Sequence, residues 1–284
     1  MAVRVGADMG SRAYGGWCGP ATTEPTDPPG TIGTMAIADP TPRAVVVDGR
    51  TFERVPIRTP VLMPGDDMPT VIREHAGPFL KPGDTVVMSE SAVAIMQGRA
   101  RDWRTITPGR LARWMSARVI KTPWGTGLRS PYAMQYAIEL TGVPRMLLAG
   151  IAHLVGRLLG KKGWFYLVAG LNARMMDAEH TMGIKEFYEC CIPAPADPPG
   201  TARSLKLTTG FDIAICDIND INPAWCVAST LPRDRVRLLE RSFDDNPLGQ
   251  DDEQTPIGIW RQAPPGGTPE PLDAGERFPV GSGS

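Results

Sequence analysis

Histidine is scarce in this chain: His75, His153 and His180 are the only three in 284 residues. A metal centre built on imidazoles is therefore excluded as its main theme, and any bound cation must rely on oxygen ligands. Five cysteines (Cys18, Cys190, Cys191, Cys216 and Cys226) make an odd count without the paired spacing of a zinc site. They read as reduced, mostly buried thiols of a cytosolic protein. Charge of one sign is equally lacking, with a formal net of -1 and no basic block, so nothing electrostatic points to a nucleic-acid partner. No apolar run reaches membrane length: residues 146–160 are interrupted by His153 and Arg157 and predict a buried helix. The N-terminus has no signal-peptide core. The expectation is a cytoplasmic protein with neither a membrane nor a nucleic acid as partner. The patterns GxGxxG, HExxH, CxxC and GxSxG are missing, which removes the usual dinucleotide, zinc and serine-hydrolase signatures. Residues 156–162 (GRLLGKK) approach a P-loop, but the spacing is one short and no Ser or Thr follows the lysine.

What is present is ordinary for a folded domain, with 42% hydrophobic and 21% charged residues. Residues 1–40 and 263–284 are rich in Gly, Pro, Thr and acids with no hydrophobic period, so both ends are expected to be poorly ordered. Met35 is a candidate natural start, and the final GSGS has linker composition. Between them, residues 41–262 form the expected domain. Strands 44–48 and 51–58 flank Asp48-Gly49, a hairpin signal. Asp66 and Asp67 cap a helix reaching about residue 75. Strand 85–88 ends at Ser89-Glu90-Ser91. Residues 107–160 predict a helical block whose first helix carries Leu111, Trp114, Met115 and Val119 as a core stripe. Ser130-Pro131 and Val143-Pro144 open two more helices, and His153 reads as a satisfied core histidine. From residue 164 the pattern returns to strands, at 165–168, 173–180 and 187–192. A helix introduced by Asp197-Pro198, a strand 211–216 delivering Asp217, a strand 225–229 and an amphipathic helix 232–243 follow. This alternation makes the fold class α+β, or mixed α/β.

The stretch at 244–260, DDNPLGQDDEQTPIGIW, concentrates the polar chemistry. Asp244, Asp245, Asp251, Asp252 and Glu253 are five acids in ten residues, Pro247 and Gly249 bend the backbone, and Gln250 and Gln254 add neutral oxygens. Hard divalent cations want such oxygens. A solvated acidic loop is the simpler reading, but this loop is pinned between a predicted helix and a predicted strand, as functional loops often are. Residues 124–129 (WGTGLR) form a second flexible loop able to approach a phosphate, although glycine loops are more often only turns.

The order of the pieces adds a resemblance. TPVLMPGDD, PGDTVVMSESAVAIMQGR, MMDAEH, PAPADPPGTA, ICDINDIN and NPLGQDDEQTPIGI occur in the sequence and spacing of the coenzyme F420-0:L-glutamate ligase family (the γ-glutamyl ligase domain). From about residue 55 to 260 the chain resembles a divergent bacterial-type member with a helical insertion. The resemblance implies a γ-glutamyl ligase-like fold and an intertwined homodimer. It implies GTP or ATP as co-substrate, two divalent ions (Mg or Mn) and a monovalent ion such as K. A small-molecule carboxylate is activated as an acyl phosphate and attacked by an amino acid amine, that of glutamate as the best match. Carried over, the nucleotide-contacting turn falls on Thr59, Pro60, Val61 and Leu62, and a second contact falls on Ser89 and Glu90. The NAGIDxSN aspartate falls on Asp177, with His180 where an asparagine contacts nucleotide, and TDTNGR falls on Asp217 and Asn219. Gln250 takes the place of the acid in the GEGxDG loop, with Gly249 beside the nucleotide. Asp177 and Asp217 are the implied catalytic pair and share one cation, while Gln250 and Asp251 serve a second. The chain departs from the family at Ile95 or a neighbour and at Gln97, where the lysine and glutamate of KAEGR are usual, and at Arg174-Met175-Met176, in place of NAG. An alternative reading is a non-catalytic protein that keeps the ligase fold and binds a small molecule or partner.

Overall fold

Asp48 and Gly49 fold as their sequence predicts. In this computed structural model, which describes residues 40–119, 126–220, 223–249 and 253–263, they take φ values of +49° and +70°, a primed turn. It joins β1 (Arg43–Val47) to β2 (Arg50–Ile57) with Val47 opposite Arg50. Apart from residues 40 and 263, the two ends expected to be poorly ordered lie outside the described residues.

Asp67 caps α1 (Met68–Val71) by accepting the Thr70 N–H at 3.0 Å. The chain continues through a π turn and a 3₁₀ turn as far as Phe79. β3 (Thr85–Ser89) runs straight into α2 (Glu90–Met96), and β4 (Arg101–Asp102) follows. Five helices come next: α3 (Arg110–Ser116), α4 (Pro131–Thr141), α5 (Val143–Leu158), α6 (Trp164–Ala169) and α7 (Leu171–Arg174). The remainder is β5 (Cys190–Cys191), α8 (Pro198–Thr209), β6 (Asp212–Asp217), β7 (Trp225–Ser229), α9 (Arg233–Ser242) and β8 (Ile257–Gln262).

Six strands form one sheet in the order β1-β2-β8-β3-β6-β7. Among the described residues only the β3–β6 pair of this sheet is parallel. Side chains alternate across it. Val86, Met88, Ile213, Ile215, Ile257 and Ile259 face α2 and α8, while Val87, Ala214, Cys216 and Trp260 face α9 and Leu248. With both faces covered, the central strands read as continuous apolar runs. Each fully buried Ile, Val or Met contributes roughly 1.5–3 kcal/mol. The fold is mixed α/β, consistent with α+β.

The helical block has its own core, built on Met115, Met134, Ile138 and Met146, and here the structure corrects the sequence reading. Residues 165–168 lie in α6 instead of a strand. Gly163 and Gly170, at φ +84° and +89°, bracket the run, and α6 packs on α5 where Gly156 gives it room: a Cβ there would lie 3.1 Å from Trp164 Cγ. Residues 173–180 are not a strand either; Asp177 alone bridges to Ile192. Trp114 is not core. α3 stops at Ser116, leaving Met115 inside and Trp114 outside, stacked under Arg118 at 4.2 Å. Nor is the helix at 146–160 buried. The small side of α5, Ala149 and Gly156, faces inward, its leucines face out, and His153 is exposed. Finally, Cys191, Cys216 and Cys226 are free thiols whereas Cys190 is disulfide-bonded. The two adjacent side chains point to opposite faces of β5, Cys191 into the helical core and Cys190 toward Phe187 and Ile192. Among the described residues no single helix is long and apolar enough to cross a membrane.

Candidate active site

β3 and β6 are parallel neighbours with Ser89 level with Cys216, so Glu90, the first residue of α2, and Asp217, the last residue of β6, stand at the same edge. That edge, the carboxyl end of parallel strands, is where open α/β sheets place their ligands. Asp177 arrives from a third segment. It exchanges both backbone hydrogen bonds with Ile192, at 2.8 and 3.0 Å, which fixes it facing the first two acids. Ser91, in the first turn of α2, links them: its Oγ lies 2.7 Å from Glu90 Oε1 and 3.2 Å from Asp177 Oδ2.

The residues just before β8 tie two further segments to this edge. Thr59 N–H donates to Gln254 O and Ser89 N–H to Pro256 O, both at 2.9 Å. A cavity of about 450 Å³ results, and Thr59, Pro60, Val61, Leu62, Ser89, Glu90, Asp177, Asp217, Asn219 and Gly249 all line it. These residues are separated by up to 190 positions in the chain, and the fold assembles them into one wall.

The cavity is strongly anionic. Burial, then the charges of Asp177 and Asp217, push the Glu90 carboxyl well above its usual range. Burial likewise raises Asp177 to about 7, with Asp217 adding to the effect and Ser91 opposing it. Among the described residues Glu90 Oε2 is buried without a hydrogen-bond partner. Asn219 Nδ2 donates to Asp217 Oδ1 at 2.9 Å, which orients that carboxylate. Among the described residues no three His, Cys, Asp or Glu side chains stand in metal-holding geometry. The donor set nonetheless suits a hard cation, because an unpartnered buried carboxylate oxygen beside two more acids is relieved by one.

His180 is not brought into the site. Its backbone is left-handed at φ +64°, and its ring turns to Glu189, with Nε2 at 3.2 Å from the carboxylate, and to Tyr188 and Trp103. Its neighbour Thr181 lines the cavity in its place. Gln250 and Asp251 lie outside the described residues. The acidic residues around them serve different ends. Asp244 accepts the Ala224 N–H at 3.0 Å, Asp245 pairs with Arg54, and Glu253 reaches the cavity. Gly249 has φ +78° and abuts that carboxyl; a Cβ would lie 2.5 Å from Glu253 Cδ. Gln97 is structural, accepting the Ala196 N–H at 2.7 Å and donating to Thr201. Of the 124–129 loop, residues 127–129 form a 3₁₀ turn that buries Leu128 away from the cavity wall.

Sequence reasoning missed Ser91 and Arg174 as site residues. Arg174 is the one basic side chain among the described residues lining the cavity, and its guanidinium lies 3.8 Å over the Trp225 ring, a cation–π contact that holds it in place. The signal for Ser91 was its position directly after Glu90 at the turn from strand to helix.

Fold and site together define an α+β protein with a cluster of acids, Glu90 among them buried, lining a cavity at the carboxyl end of two parallel strands. Residues 56–208, more than half of the chain, match the family F420-0:Gamma-glutamyl ligase, and the chain belongs to that family. No curated protein matches the chain. The matched span includes Thr59, Glu90 and Asp177 and ends before Asp217, so Asp217, Asn219 and Gly249 join the site through the fold's geometry.

Proposed function

We propose that this chain is a nucleotide- and divalent-metal-dependent γ-glutamyl ligase. The family implies γ-glutamyl ligase activity in F420 biosynthesis. In our reading GTP or ATP phosphorylates a substrate carboxylate, releasing nucleoside diphosphate, and the glutamate amine attacks the acyl carbon and displaces phosphate to leave an amide. The observation that carries the reading is the convergence of Glu90, Asp177 and Asp217 in one cavity with only Ser91 between two of them. Like charges at such a spacing are stable only when protonated or bound to a cation.

Each residue then has a role. Glu90, Asp177 and Asp217 would hold Mg or Mn, which would supply charge neutralisation for the transferred phosphoryl group. Asn219 keeps Asp217 turned toward the ion. The turn from Thr59 to Leu62, with Ser89 and Gly249, holds the nucleotide, and Arg174, which lines the same cavity, serves its phosphates. Gln250 and Asp251 serve a second ion, a monovalent ion such as K completes the set, and two copies of the chain form an intertwined homodimer.

The test is mass spectrometry of the protein incubated with F420-0, glutamate, Mg or Mn, and GTP or ATP in parallel. We expect a product heavier by one or more glutamyl units with matching nucleoside diphosphate, both lost in Asp217→Ala while its circular dichroism is unchanged. Turnover by Asp217→Ala equal to wild type would overturn the site. Absence of product, of diphosphate release and of calorimetric nucleotide binding would leave a binding protein on a ligase fold.

A further inference from the structure

Residues 140–176 contain no aspartate or glutamate but five cations: Arg145, Arg157, Lys161, Lys162 and Arg174. In a chain whose net charge is -1, this is a pronounced local asymmetry. The same segment carries the largest outward apolar face of the described residues. Leu147, Leu148, Ile151, Leu154, Val155 and Leu158 follow one another at helical spacing along a single side of α5, from 41% exposed at Val155 to 86% at Leu158. Leu159 and Leu167 carry the stripe around the corner onto α6, at 60% and 75%. Arg157, Lys161 and Lys162 are exposed beside it, and Tyr166 sits at its edge. Soluble monomers rarely leave so continuous an apolar patch uncovered.

We propose that the α5–α6 corner docks on an anionic lipid bilayer. The leucine stripe enters the headgroup region while Arg157, Lys161 and Lys162 pair with lipid phosphates, the arrangement of an interfacial amphipathic helix. The patch lies on the membrane and does not cross it. α4 and α5 are apolar enough to span only if taken together, and they are bent by 114° at their junction. Charge argues against a second copy as the occupant. A contact of this corner with itself across a two-fold axis would set the cations of residues 140–176 against one another, since that segment supplies no acid. This inference is independent of the ligase reading, because none of the stripe residues lines the cavity.

The experiment is vesicle flotation of the full chain with phosphatidylcholine vesicles and with vesicles containing phosphatidylglycerol. Sedimentation velocity and thermal melting of the same samples run alongside. We expect recruitment to the phosphatidylglycerol vesicles and little to the neutral ones. Leu158→Glu/Leu167→Glu should abolish recruitment, and Lys161→Glu/Lys162→Glu should weaken it about tenfold or more, with melting unchanged because all four side chains are exposed. The proposal is overturned if anionic vesicles do not recruit the wild type, or if the lysine pair binds as wild type. It is also overturned if the leucine substitutions split a wild-type dimer, which would make the face a contact between copies.

Discussion

Ser91 has one hydroxyl proton and two carboxylates to give it to. It can donate to Glu90 or to Asp177 but not to both, so with both acids ionised one oxygen–oxygen contact is repulsive. That is the residue-scale reason why a proton or a cation belongs there, in accord with Asp177 raised to about 7 from an ordinary 3.8. Between those two values the folded chain binds more protons than the unfolded chain. The stabilising contribution of this group therefore falls as pH rises from about 4 to about 7, and a penalty remains above that. We expect Mg or Mn binding near pH 6.5 to release a proton, seen as a calorimetric enthalpy that varies with buffer ionisation. Asp177→Asn should reduce the release to the part owed to Glu90 and flatten the fall in metal-free stability by on the order of 2–4 kcal/mol; an unchanged buffer dependence would contradict it. Asp177 and Glu90 were legible through the family's motifs. The role of Ser91 was not, because it depends on a partner 86 residues away.

At the scale of elements, the packing of α5 on α6 decides most of what the sequence misread. Aromatic and branched side chains at 164–168 have strand propensity, yet flanking glycines and the close approach of Trp164 to Gly156 make them a helix. A Cβ at position 156 would also meet Lys161 O at 3.0 Å. Gly156→Val should thus cost about 1–3 kcal/mol by overpacking, read as a lower denaturation midpoint with the slope retained. No change would mean the helices separate freely. The periodicity of α5 was plain in the sequence, but not which way it faced. An apolar stripe looks alike whether it meets a core or solvent, and the small residues on the opposite side chose the inner face.

Across the whole molecule, the buried Arg261 holds the sheet together from its central strand. Its guanidinium contacts Asp84 at 2.9 and 2.5 Å and lies 3.9 Å from Glu53, joining β8 to β2 and to the start of β3. Arg261→Met leaves two acids buried without their cation and should cost about 3–5 kcal/mol in chemical denaturation. Adding Asp84→Leu should recover part of that loss, since the two effects share one contact. Equal and additive losses would refute the coupling. Because β8 directly follows the carbonyls of Gln254 and Pro256 that hold Thr59 and Ser89, slack in this strand should reach the cavity. By itself the sequence determined the Asp48-Gly49 turn, the caps at Asp67, Ser130 and Asp197, and the apolar strands of the sheet, because each depends on neighbours within a few residues. Tertiary structure alone decided that Glu90, Asp177 and Asp217 share one cavity, that His180 stays outside it, that Asp244 and Asp245 brace a loop, and that the leucines of α5 face outward. Each of these is set by contacts between distant parts of the chain, which no local pattern records.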